Sequence, residues 1–194
     1  IDEFAEYGYD KASINRIVEQ SNIAKGSFYQ YFKNKRDLYK HLFTRFGEEK
    51  LQSMSPVLAN PNALDFFTLI TELYRSGLAF AKANPKAARI GNRLFQNRDH
   101  PVHQELIEES EAAGVAFFKP LIERAIAAGE LRPDINVTFA VHIITTLNLS
   151  IFEYYFDVVR RTPFDMTDLQ DDAMDTINLF IDFLKNGLGK PEKG

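Results

Sequence analysis

The chain has 194 residues, no cysteine, 45% apolar residues and a formal net charge of −4. Its length suits one large domain or a small one joined to a larger one; the missing thiols exclude disulfide scaffolds and thiolate chemistry and fit a reducing cytoplasm. No signal peptide is evident, and the longest apolar stretches are broken by charge or amide short of the ~18 residues of a membrane span, so no membrane partner is expected.

The sequence opens IDEFAEYG, without Met and partway into a helical pattern, so further residues are expected upstream. Helical periodicity then runs nearly throughout, punctuated at Gly8, Asn22, Asn34, Pro56 to Pro61, Asn84-Pro85, Asp99 to Pro101, Gly129 to Pro133, Thr162-Pro163 and Gly187. This predicts an all-α protein of about nine helices: a small head, residues 1–45, on a larger helical bundle, residues 46–194. The charge divides the same way. Lys11 to Arg45 carries eight basic residues against two acidic ones, whereas residues 47–194 carry 15 basic and 21 acidic. A basic head on an acidic body points the head at an anion.

In the head, the first helix should end at Tyr7, with Gly8 in the left-handed position after it. Ser13 suits the N-cap of the second helix, which turns Ile14, Ile17 and Val18 inward and Asn15, Arg16 and Glu19 outward. Ser21-Asn22-Ile23 makes a tight turn, since Asn tolerates left-handed backbone. A third helix follows almost at once, and two short helices joined by so short a turn form a helix-turn-helix. At about 100° per residue, Ala24, Phe28 and Phe32 share one stripe, the core side. Gly26, Ser27, Tyr29 and Gln30 fall on the outward arc, with Lys25 and Tyr31 at its borders. Gly26 permits close approach of a backbone. Gln30 can bond a base edge in a bidentate way. Ser27, Tyr29 and Tyr31 offer hydroxyls to phosphates, and Lys25 and Lys35 offer charge. Asn34 caps the fourth helix, whose N-terminus, bearing Lys35, is itself suited to phosphate.

The stretch FAEYGYDKASINRIVEQSNIAKGSFYQYFKNKRDLYKHLF resembles the DNA-binding head of TetR-family transcriptional regulators over about 40 residues. The resemblance implies DNA contacts from Ser13 and Asn15 of helix two, from Lys25, Gly26, Ser27, Tyr29, Gln30 and Tyr31 of the recognition helix, and from Lys35. Three residues depart from the family pattern: Ala24 replaces a hydroxyl cap, Asn22 replaces a turn glycine, and Val18 stands where Ala is common. The family's basic N-terminal arm is not in this sequence and is expected upstream with the front of helix one. The implied function is a sequence-specific DNA-binding regulator, a repressor released from a near-palindromic operator by a small hydrophobic or aromatic effector. The alternatives are a protein of the same fold with an architectural or cell-division role and no inducer, or a helical lipid-binding protein.

The body matches the family only in architecture, a ligand-binding and dimerisation bundle. Its helices suggest an apolar lining of Phe66, Phe67, Tyr74, Phe95, Phe117, Phe118 and Phe152, with Asn92, His142 and Asn148 as polar partners for the effector. Pro120 invites a kink in the seventh helix. The eighth helix is apolar around most of its circumference, so it should be buried on more than one side. A two-fold homodimer is expected, because one helix-turn-helix covers too few base pairs. Its seam is predicted from Ile143, Leu147, Ile151 and Tyr154 of the eighth helix and Met174, Ile177, Ile181 and Leu184 of the ninth. His100-Pro-Val-His103 has no evident third ligand, and a turn explains it. With no Ser/His/acid constellation and no phosphate loop, neither an enzyme nor a bound cofactor or metal is expected.

Overall fold

The computed structural model describes residues 1–188, without the side chains of Asn62 and Leu149; residues 189–194 of the expected body lie outside the described residues. The head is α1 (Asp2–Lys11), α2 (Ile14–Gln20) and α3 (Lys25–Tyr31), and α4 (Lys35–Ser53) leads from it into the body. The body comprises α5 (Ser55–Leu58), α6 (Phe66–Ala83), α7 (Pro85–Gln96), α8 (Pro101–Ala127), α9 (Val137–Tyr154) and α10 (Ala173–Leu188). Among the described residues there is no β-strand. The tenth helix beyond the expected nine is α5, a single turn with Pro56 in its first turn, where the missing N–H costs nothing.

Side-chain caps fix several helix starts. Asn34 Oδ1 accepts from Asp37 N at 2.9 Å, and Asp37 Oδ2 accepts from Lys33 N at 2.9 Å, a reciprocal arrangement that satisfies two N–H groups at once. Asp65 Oδ1 accepts from Phe67 N and Thr68 N at 3.1 Å to start α6, and Asn136 Oδ1 accepts from Phe139 N at 2.9 Å to start α9. Pro120 leaves α8 continuous from Pro101 to Ala127. Beside it Gly114 admits α9, since a Cβ there would come within 3.1 Å of Thr145 Cγ2.

The helix α9 passes unbroken into a π-helical turn (Tyr155–Arg160) that ends at Arg161 in the left-handed region, φ 55°. Together Val137–Arg160 reach the length and mean hydropathy, 1.2, of a membrane span by composition alone. His142, Asn148 and Glu153 interrupt its apolar run. Ala140, Val141, Ile144 and Ile151 turn one face of α9 into the protomer's own core, while Phe139 and Tyr154 face outward.

Among the described residues there are two apolar cores. The larger holds Phe66, Leu69 and Ile70 of α6, Ile122 of α8, Ile144 and Ile151 of α9, and Ile177, Ile181 and Leu184 of α10. The smaller joins Phe4 and Ala5 of α1 and Tyr39 and Leu42 of α4 to Ile90 and Leu94 of α7 and Val102 and Leu106 of α8. This second core draws on both sides of residue 45, so α1 and α4 pack directly against α7 and α8. Polar contacts reinforce the joint. Gly8, at φ 72° and ψ 178°, ends the first helical segment, and Arg93 Nη2 of α7 donates to the carbonyls of Ala5 (3.3 Å) and Glu6 (2.8 Å) left open there. Tyr39 Oη and His103 Nε2 meet at 3.3 Å, and His103 Nδ1 lies 2.7 Å from Asn97 O.

Candidate nucleic-acid interface

The turn between α2 and α3 places Asn22 at φ 52°, the left-handed geometry that its side chain tolerates. Helix α2 is held from α1 by a buried carboxylate. Glu3 is 2% exposed, and its Oε1 accepts from Ser13 N (2.8 Å), Arg16 Nε (2.8 Å) and Arg16 Nη2 (2.5 Å). The Arg16 guanidinium, ahead of the Ser13 amide, holds the Glu3 carboxyl below the usual carboxylate range against the opposing effect of burial. The role of Glu3 shows only in three dimensions, because its partners lie 10 and 13 residues away. Ser13 Oγ accepts from Arg16 N at 3.5 Å, a long cap, and Asn15 is exposed beside it.

Helix α3 is seven residues long. Ala24 is its extended N-cap, without a side-chain hydrogen bond, and it is exposed rather than part of the expected core stripe, because helical periodicity begins only at Lys25. Phe28 is buried and packs edge-on to Tyr29 at 5.1 Å and tilted to the half-buried Phe32 at 5.6 Å. Opposite this anchor, Tyr29 is 51% and Tyr31 79% exposed, far more than buried packing would leave. Lys25, Gly26 and Gln30 are exposed and Ser27 is half-buried. A Cβ at Gly26 would meet nothing within 4 Å, so the space beside α3 is open.

The eight basic residues of the head divide sharply. Five are engaged within the protomer. Arg16 pairs with Glu3, Arg36 with Glu105, and Arg45 with Glu49 at 2.7 Å, while Lys40 meets both Glu105 and Glu109 at 2.7 Å. Lys35 Nζ donates to the carbonyls of Asp10 (2.9 Å) and Ala12 (3.1 Å) at the end of α1 and sits 4.8 Å from the Tyr9 ring centroid. Among the described residues, Lys11, Lys25 and Lys33 have no ion pair, and all three are exposed. Lys11 and Lys33 were legible in the sequence only as members of a basic run; their lack of partners sets them apart.

The body residues fall into several settings. Phe67, Tyr74, Phe117, Phe118 and Phe152 are half-buried against the larger core, with Phe117 and Phe118 edge-on at 5.2 Å. Phe66 is sealed inside that core, and Phe95 belongs to the head–body cluster and meets Phe164 at 6.1 Å. Asn92 is occupied: its Nδ2 donates to Asp165 Oδ1 at 2.6 Å and its Oδ1 accepts from Met166 N at 2.9 Å. His142 is exposed and Asn148 half-buried. Of the residues expected at a subunit seam, Ile151, Ile177, Ile181 and Leu184 are buried in the protomer's own core, because that face of α10 packs on α6 and α9. Ile143, Leu147 and Met174 are half-buried and Tyr154 is exposed. The outward apolar residues of α10 are instead Leu179 (65%) and Phe183 (67%). Phe183 shares a shallow depression between α9 and α10 with Phe139 and Ile143.

An open, lysine-flanked second helix of a helix-turn-helix, joined by one long helix to an all-helical body, defines the architecture of a DNA-binding transcriptional regulator. Residues 1–42 match the family described as bacterial regulatory proteins, tetR family. A TetR-family transcriptional regulator from Chloroflexus aurantiacus J-10-FL is 30% identical, with 98% of this chain and 89% of that one covered and a TM-score of 0.60. The chain belongs to the TetR family of bacterial regulatory proteins. Among curated relatives, the HTH-type transcriptional regulator YhgD of Bacillus subtilis (strain 168) is 27% identical over 135 residues, covering 67% of this chain and 66% of that protein. The fatty acid metabolism regulator protein of the same organism is 22% identical over 179 residues, with 91% and 89% covered. The structure of FadR from Bacillus subtilis in complex with stearoyl-CoA shares the fold, with a TM-score of 0.70 at 18% identity over 93% of this chain and 92% of that one.

Proposed function

We propose that the chain is a dimeric repressor that reads a near-palindromic operator through α3 and is released by a small, mostly apolar ligand held in the body. The observation that carries the DNA reading is the division of charge. The protomer satisfies five of the head's eight basic residues and, among the described residues, leaves the exposed Lys11, Lys25 and Lys33 with no ion pair, the last two flanking α3 in the chain. In this reading the lysines neutralise phosphates and set register, and Gln30 reads a base edge. Ser13, Asn15, Ser27, Tyr29 and Tyr31 contact backbone or base from the same surface. Lys35 positions the end of α1, where its ammonium is already bound, while the α4 N-terminus beside it stays available to a phosphate.

The ligand is proposed to lie along Phe67, Tyr74, Phe117, Phe118 and Phe152, with Asn148 as a polar partner. A structural relative solved with stearoyl-CoA supports an apolar ligand class. Helix α8 carries both Phe117 and Phe118 and the carboxylates of Glu105 and Glu109 that grip Arg36 and Lys40 of α4. A shift of α8 on ligand binding would therefore reach α4 and tilt the head. A ligand acts only through its difference in affinity between the two forms, typically about 1–3 kcal/mol.

The test is selection from random DNA duplexes at physiological salt. The unmodified protein should enrich two half-sites about one helical turn apart, and Gln30→Ala should relax one or two base pairs per half-site, each worth about 1–3 kcal/mol. Enrichment of no sequence, or an unchanged preference with Gln30→Ala, would overturn the assignment.

A further inference from the structure

Lys50 lies near the end of α4, the opposite end from the one that meets the head. Its side chain crosses to α6, where a Cβ on Gly77 would stand 3.7 Å from Lys50 Cε and 3.5 Å from Met54 Cε. Gly77 is what lets the lysine stem lie so close to the α6 backbone. Among the described residues the Lys50 ammonium has no carboxylate or carbonyl partner. The residue keeps accessible surface, yet burial, with no neighbouring charge contributing, holds its pKa below the usual lysine value.

A second donor stands on the same stripe of α6. Tyr74 precedes Gly77 by three residues, which places the two one above the other on the helix. Tyr74 Oη is buried without a hydrogen-bond partner, and its ring packs edge-on to Phe180 at 6.1 Å. Burial pushes the phenol pKa up, so Tyr74 remains a donor at neutral pH. Buried polar groups are almost always hydrogen-bonded, and an orphan calls for a missing partner. Here the groups awaiting one are an ammonium, which only donates, and a phenol, which can donate or accept. Met54, Phe117 and Phe118 belong to the same apolar cluster as Tyr74.

We propose that Lys50 and Tyr74 anchor the anionic end of the ligand, an acyl or alkyl chain ending in a carboxylate or a phosphate, whose apolar part lies along the half-buried rings of α6 and α8. This rests on the ligand-responsive reading above. A donor-only ammonium beside a phenol that can also donate favours an anion over a neutral or cationic group. A lysine is a point charge without the planar fork of arginine, so it accepts carboxylate and phosphate alike. Its place on α4 also gives the ligand a direct hold on the helix that carries the head.

The experiment is calorimetric titration of the full chain with three probes of equal chain length: dodecanoate, dodecyl phosphate and 1-dodecanol. The unmodified protein should bind one or both anions at least about tenfold more tightly than the alcohol. Lys50→Gln should abolish that preference and leave alcohol binding unchanged, whereas Lys50→Arg should keep most of it, which separates lost charge from a lost fold. Tyr74→Phe should weaken the anions by a smaller factor. If the unmodified protein binds anions and alcohol equally, or Lys50→Gln keeps the preference, the anchor is refuted while alcohol binding leaves the apolar site standing. If none of the three probes binds, by heat or by thermal shift, the ligand-responsive reading falls with it. Preference for only one of the anions identifies which headgroup the site takes.

Discussion

The substitution Phe183→Asp should dissociate the proposed dimer without unfolding the protomer. Phe183 and Leu179 are two-thirds exposed on α10, and Phe183 shares a depression with an equally exposed Phe139 on α9. Burying a whole Phe or Leu side chain is worth about 1.5–3 kcal/mol, so covering two-thirds of one contributes about 1–2 kcal/mol. A two-fold axis repeats the contact, and the substitution therefore removes about 2–4 kcal/mol before the cost of desolvating two carboxylates is counted. That corresponds to a rise of about 30- to 1,000-fold in the dimer dissociation constant. Sedimentation velocity across a concentration series measures it, and the melting temperature should stay near that of the unmodified chain. Ile177→Ala is the control. Ile177 is fully buried beneath the opposite face of α10, so its truncation should cost about 2–5 kcal/mol of stability and leave the association constant of the remaining folded protein nearly unchanged. An unchanged dimer constant in Phe183→Asp, or a monomeric unmodified chain at micromolar concentration, would refute this placement of the subunit contact.

Two further outcomes follow from the electrostatics. Lys25→Ala and Lys33→Ala should each lower the salt slope of operator binding by about one unit, the share of a single neutralised phosphate, whereas Lys35→Ala should lower thermal stability with a smaller change in that slope, because its ammonium already binds the carbonyls of Asp10 and Ala12; equal slopes for Lys25→Ala and the unmodified chain would remove Lys25 from the interface. His103 is 3% exposed, and burial, opposed by its contact with Asn97 O, holds its imidazole pKa below the usual value. The unfolded chain then takes up the proton first as pH falls, so stability is fully present above about pH 6.5 and drains away below it. Melting curves from pH 8 to 5.5 should show that slope flattened in His103→Gln, and parallel curves would exclude His103 as its source.

The sequence by itself determined what depends on local chemistry. Punctuation by Gly, Pro and Asn set the helices, the Ser13, Asn22 and Asn34 positions set the helix-turn-helix, and Phe28 opposite Gly26, Tyr29 and Gln30 set which side of α3 faces out. These are properties of neighbours in sequence, and a helix repeats them every few residues. Only the tertiary structure decided which charges are spent and which are free. Arg36 and Lys40 look like Lys25 and Lys33 in the sequence, but Glu105 and Glu109, more than 60 residues on, neutralise the first pair. Helical periodicity identified apolar faces on α9 and α10 without telling the face that packs on α6 from the one left outside, because both are apolar; burial of Ile177 and exposure of Phe183 resolve it. Lys50 and Tyr74 carry no motif, and their unmet hydrogen-bonding capacity exists only once α4 has been laid against α6.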